Sequence, residues 1–137
     1  MKIDYEEIKE IMSVFLKKPE PFITIKDLNF FDIGGEEEKK LIFHLLLLIE
    51  DGLISDLQLK TGDPEYIGIR FLSSGKALCG EIPIRLTIDG HNFAKALNEK
   101  PILERIKKDL TNAPFGFVKE VSKKWLIKQL ATKLDLN

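Results

Sequence analysis

Apolar residues recur every three or four positions in several stretches of this chain, and every two positions in one. Ile8, Ile11, Met12, Phe15 and Leu16 keep helical spacing. A helix is therefore predicted over Asp4 to Lys17, with Asp4 ahead of Glu6 and Glu7 at its start and Pro19 beyond its end. Phe22-Ile23-Thr24-Ile25 follows Pro21 and is long enough only for an edge strand. Lys26 to Phe31 reads as one helical turn or a short helix, and Gly34-Gly35 breaks the chain. Glu36 to Asp51 is a second helix. Its first turn of three glutamates suits the helix dipole, and Gly52 stands at its C-terminal exit.

From Ser55 to Ile88 the period changes to two. Leu57 and Leu59 alternate, as do Ile67, Ile69 and Phe71, and then Ile82, Ile84, Leu86 and Ile88. Thr61-Gly62-Asp63-Pro64 and Ser73-Ser74-Gly75 supply turns, so three short antiparallel strands are predicted. Thr87 or Asp89 caps a helix over Gly90 to Leu97. Pro101 suits the first position of the next helix, where Ile102, Leu103, Ile106 and Leu110 form a stripe. After Asn112-Ala113-Pro114, Val118, Val121, Trp125, Leu126, Leu130 and Leu134 predict a long amphipathic helix from Phe115 towards Leu136. The expected class is α+β, mostly helical. It has a winged helix-turn-helix core, a small antiparallel β-wing and a C-terminal helical extension. The boundaries are 1–99 for the winged-helix domain and 100–137 for the extension, packed on the core or mediating dimerisation.

Two segments carry a family resemblance. The first is His44-Leu45-x-x-Leu48-x-x-x-Gly52-Leu53-Ile54, which looks like a winged-helix helix entering the wing. The second is Arg85-Leu86-Thr87-x-x-Gly90-His91-x-Phe93, which looks like the wing's return strand running into the next helix. Over roughly residues 3 to 110 the chain resembles a family of small, functionally uncharacterised bacterial and phage proteins with a winged-helix core. Ile88 stands where an aromatic often follows the Thr. The resemblance implies the fold and, by analogy with transcription regulators, DNA binding. It implies no catalytic or ligand residue.

Composition narrows the classes. With 137 residues, 44% hydrophobic and 31% charged, the chain has globular composition and a length that suits one domain. One cysteine, Cys79, excludes an intrachain disulfide and a multi-cysteine zinc cluster. The longest apolar run, Leu41 to Ile49, is too short for a membrane span and includes His44. The N-terminus has no apolar leader segment, so a cytoplasmic location is expected. The net charge of −1 is a cancellation. Residues 100–137 hold nine cations against four acids, a balance of +5, and the remaining 12 cations and 18 acids give −6. Such asymmetry marks either a polyanion-binding segment or two parts of the molecule that attract each other.

The chemistry of the second helix tempers the DNA analogy. Its outward face holds Glu36, Lys39, Lys40, Phe43, Leu46, Leu47 and Glu50. Only Lys39 and Lys40 are of a kind that reaches base edges, and the glutamates ahead of them repel phosphate. The nucleic-acid candidates are therefore Lys39 and Lys40, with Lys60 and Arg70 in the wing and Lys119, Lys123 and Lys124 in the last helix. Phe43, Leu47 and Trp125 are the protein-contact candidates. The expected partner is double-stranded DNA, and the alternative is a homodimer or protein partner that reuses the winged helix without DNA. No membrane or small-molecule partner is inferred. Trp125, Phe115 and Phe117 are candidates for stacking on nucleic-acid bases or, at helical spacing, for the core. His44 is expected to be hydrogen-bonded to backbone, His91 to sit in the first turn of a helix, and Cys79 to be a small buried thiol. No nucleotide-binding glycine motif, metal set or catalytic constellation is present in the sequence. No cofactor, metal or enzymatic activity is expected.

Overall fold

A computed structural model describes residues 1–29 and 35–135. The described residues form five α-helices and four short strands: α1 (Tyr5–Lys17), α2 (Gly35–Glu50), β1 (Ile54–Asp56), β2 (Ile69–Phe71), β3 (Ala77–Cys79), β4 (Ile84–Leu86), α3 (Ile88–Leu97), α4 (Lys100–Asp109) and α5 (Phe115–Lys133). The fold is α+β and mostly helical. The predicted helix end at Phe31, the break at Gly34 and the end of the last helix at Leu136 lie outside the described residues.

α1 begins where the sequence placed its signal. The Asp4 carboxylate accepts the backbone N–H groups of Glu6 and Glu7, at 3.0 and 3.3 Å. The extended piece before the 3-10 turn Ile25–Leu28 makes one bridge. Ile23 N–H donates to the Ile84 carbonyl, and Ile84 N–H returns the bond at 2.8 Å. β4 also pairs antiparallel with β1, Ile54 facing Leu86 and Asp56 facing Ile84. β2 and β3 form a separate hairpin between them, Ile69 facing Cys79 and Phe71 facing Ala77.

The period-two stretch therefore yields four strands in two sheets, where three were expected. Two local causes account for this. Asp56 ends β1 by accepting the N–H groups of Gln58 and Lys60, both at 2.9 Å, and Asp56 N–H donates to the Lys60 carbonyl. This turn puts Leu59 at a positive φ of 66° and leaves Leu57 and Leu59 in solvent, so their alternation is not a strand. Asp63 and Pro64 then start a 3-10 turn that ends at Gly68, at φ 91°. A Cβ at Gly68 would lie 2.6 Å from the Gly80 carbonyl oxygen, so only glycine lets the hairpin's two ends meet there.

α2 turns Leu41, Leu45, Leu48 and Ile49 into the core, as its pattern predicted, against Ile8, Ile11 and Met12 of α1. α4 adds Ile102, Leu103 and Ile106, and α5 adds Val118 and Leu126, to the same apolar cluster. Tyr5, Phe93 and Phe115 join α1, α3 and α5 in one aromatic group, with ring centroids 5.7 to 6.5 Å apart. Phe115 is thus a packing residue, and each such pair contributes about 1 kcal/mol beyond its buried area.

α5 departs from the expected stripe. Val118, Ser122 and Leu126 are buried, but Leu130 and Leu134 are exposed. An i+4 ladder advances about 40° per step on a 3.6-residue helix, so four steps carry Leu134 about 160° away from Val118.

Candidate interaction surfaces

The winged-helix analogy would have the α2 face read DNA, a role that its glutamates already disfavour in the sequence. Its two cations are both held within the molecule. Lys40 Nζ lies 2.7 Å from the Asp4 carboxylate, and Lys39 Nζ lies 3.2 Å from Glu36. Burial alone would raise the Asp4 carboxyl. The Lys40 ammonium and the N–H groups of Glu7 and Glu6 outweigh it and hold Asp4 below its ordinary value. Lys40 is raised in turn, first by its hydrogen bond to Asp4. Phe43 and Leu47 are half-buried, neither sealed in the core nor fully presented to solvent. Phe43 packs edge-on against the His44 ring, with centroids 5.0 Å apart.

His44 is fully buried, and its roles follow from its two bonds. Nδ1 lies 2.8 Å from the Lys40 carbonyl oxygen, which can only accept, so Nδ1 carries the proton. Nε2 then accepts the Asp4 backbone N–H at 2.9 Å. His44 is a neutral clip between α2 and the start of α1, as expected of a backbone-bonded histidine. His91 is exposed in the first turn of α3.

In the hairpin region, Lys60 stands 6.0 Å from the Tyr66 ring centroid and Arg70 lies 3.9 Å from Glu65, both cations being solvent-exposed. A cleft of about 390 Å³ beneath the hairpin is lined by Ile69, Leu78, Cys79 and Ile82. Burial, with a smaller contribution from Glu38, pushes the Cys79 thiol up to about 11. That suppresses the thiolate a nucleophile needs. Phe71, Leu72 and Leu78 leave large apolar surface on the hairpin.

The α5 candidates separate. Lys119 is mostly covered and ion-paired with Asp51, at the far end of α2, so it ties α5 to the core. Trp125 is half-buried and faces α4, with the Arg105 guanidinium 4.2 Å from its ring centroid. It lines a groove of about 460 Å³ with Ile102, Arg105, Lys128 and Lys133. Lys123 and Lys124 are exposed and make no ion pair among the described residues. The structure thus brings Lys40 to α1 and Lys119 to α2, and gathers no single basic face from the seven candidates.

One feature escaped the sequence reading. Ile127, Leu130 and Leu134 are 56%, 47% and 62% exposed, and with Ala131 they follow i, i+3, i+4, i+7 on the side of α5 away from the core. The signal was legible in the Leu126-Ile127 pair, because adjacent apolar residues on a helix point to faces about 100° apart.

Among the described residues no group of His, Cys, Asp and Glu is placed to hold a metal ion, and no helix is long and apolar enough to cross a membrane. Comparison with protein-family models, with curated proteins and with solved structures gave no match.

Proposed function

We propose that this chain is a protein-interaction module built on a winged-helix core. Support for the core comes from the order helix, extended bridge, short turn, helix and strand pair, in which the Ile23 segment and β1 flank β4. The β2–β3 hairpin is an insertion at the wing. The interaction reading rests on the exposed apolar row Ile127, Leu130 and Leu134, which α5 presents while its other face is engaged with the core. It fits α2, whose cations are paired within the molecule and whose Phe43 and Leu47 are partly covered. Peptide display against the full chain tests it, with binders mapped by backbone amide shifts. Binders that shift residues around exposed apolar side chains support it, and a selection that enriches nothing refutes it.

A second reading, duplex DNA binding, is favoured by Lys123 and Lys124, which are free of ion pairs among the described residues, together with Lys60 and Arg70 on the hairpin side. Fluorescence anisotropy with a duplex across salt concentrations tests it. Several phosphate contacts give a steep fall of log K with log salt, and no binding at low salt removes it.

A further inference from the structure

We infer that the outer face of α5 docks an acidic amphipathic helix of another protein. The inference rests on the interaction-module reading and adds the surface and the chemistry of the partner. Ile127, Leu130, Ala131 and Leu134 lie within about 100° of arc, the width of one seam between two packed helices. The charges around the seam select the occupant. Every charged residue between Glu120 and Asp135 is a lysine: Lys123, Lys124, Lys128 and Lys133. Lys123 stands one turn ahead of Ile127, Lys124 borders the row on one side, and Lys128 and Lys133 lie further round, where they line the groove beside Trp125. None of the four is ion-paired among the described residues.

A second copy of α5 would set lysines against lysines, and like charges across a helix pair are destabilising. A nucleic acid would answer the lysines but leave the apolar row in water. A membrane surface favours a longer and broader apolar face than two turns of a helix whose other side is buried. A helix with aliphatic residues at its own seam and glutamates or aspartates flanking them satisfies both features.

The test uses a fluorescein-labelled synthetic peptide of about three heptads, with Leu and Ile at the seam and Glu beside it. Controls are a scrambled peptide and a Lys-for-Glu peptide. Anisotropy with the full chain is expected to show saturable binding of the acidic peptide alone. Lys123→Glu with Lys124→Glu should weaken it roughly tenfold or more, and that variant should bind the Lys-for-Glu peptide instead. Leu130→Asp, at an exposed position, should remove binding while the circular dichroism spectrum is unchanged. Failure of the acidic peptide to bind, or equal binding by the scrambled peptide, overturns the inference. So does a dimer in sedimentation equilibrium that Leu130→Asp dissolves, or anionic vesicles held by this face in place of the peptide. If display instead yields binders that map to the β2–β3 hairpin, the docking inference falls while the interaction-module reading stands.

Discussion

Gly90 is the position at which adding one methyl group should do the most harm. It sits in the first turn of α3, where Ala would ordinarily improve helix stability by up to about 1 kcal/mol. Its Cα faces the turn between α2 and β1, and a Cβ would lie 2.1 Å from the Leu53 carbonyl oxygen and 3.3 Å from Leu86 Cβ. An ordinary carbon–oxygen contact needs about 3.3 Å, so the two backbones would have to part by about 1 Å. That gap breaks what holds them together. Thr87 N–H donates to the Leu53 carbonyl at 3.0 Å, and Thr87 Oγ1 donates to the Gly52 carbonyl at 2.7 Å while capping Gly90 N–H at 3.1 Å. Overpacking of this kind costs about 1–3 kcal/mol, and each weakened hydrogen bond about 1 kcal/mol. Gly90→Ala is therefore expected to lose about 3–4 kcal/mol, a large share of the stability of a domain this size.

Urea unfolding followed by circular dichroism measures it, with Gly116→Ala as the matched control. Gly116 lies in the first turn of α5, and a Cβ there meets nothing within 4 Å. The control should be neutral or gain up to about 1 kcal/mol. A Gly90→Ala protein as stable as the parent would refute the packing argument.

Asp4→Ala should cost about 1–2 kcal/mol at neutral pH, mainly through the lost cap, since the Lys40 pair is more than a third exposed. The Asp4 carboxyl is held below its ordinary 3.8, so its ionised form is favoured by folding, and its contribution fades as pH falls through the folded value. Urea titrations of parent and variant should thus converge as pH falls below 3.8. His44→Leu keeps an apolar side chain in place but leaves Asp4 N–H without its acceptor, and is expected to cost about 1–3 kcal/mol in the same assay. Cys79, pushed up to about 11, should react with iodoacetamide at pH 8 about a hundredfold more slowly than an ordinary thiol. Reaction at the rate of a free cysteine would contradict its burial.

The residues that carried the family resemblance turn out to be a packing device. Gly52 and Leu53 of the first segment receive Thr87 of the second, and Leu53 meets Gly90 face to face. That gives the Leu-Thr-x-x-Gly step a packing role, and a packing role says nothing about what the protein binds. α1 and α2 were legible because each buries one stripe at helical period and carries its start signal, Asp4 or the glutamates, in its own sequence. The turn at Asp56 was not legible, because a carboxylate that accepts two backbone N–H groups breaks a strand whose alternation is otherwise intact. The ion pairs of Lys40 and Lys119 were not legible for a related reason. Their partners, Asp4 and Asp51, are distant in sequence and become neighbours only when the helices pack.

The split of charge between the two parts of the chain now divides into two physical roles. Lys107 reaches Glu6 of α1 at 3.5 Å, and Lys119 pairs with Asp51, so part of the +5 segment is spent on attachment to the acidic −6 part. Arg105 is laid over Trp125. What remains on α5 is a set of lysines that make no ion pair among the described residues, beside a row of exposed aliphatic side chains. Holding a domain together does not require either of those features. Exposed Ile127, Leu130 and Leu134 forgo about 1 kcal/mol or more each of the burial they would gain inside, and clustered lysines repel one another. Both costs are offset together when one surface covers the aliphatic row and brings negative charge to its edges. The two features are therefore better read as one site than as two accidents of a surface helix.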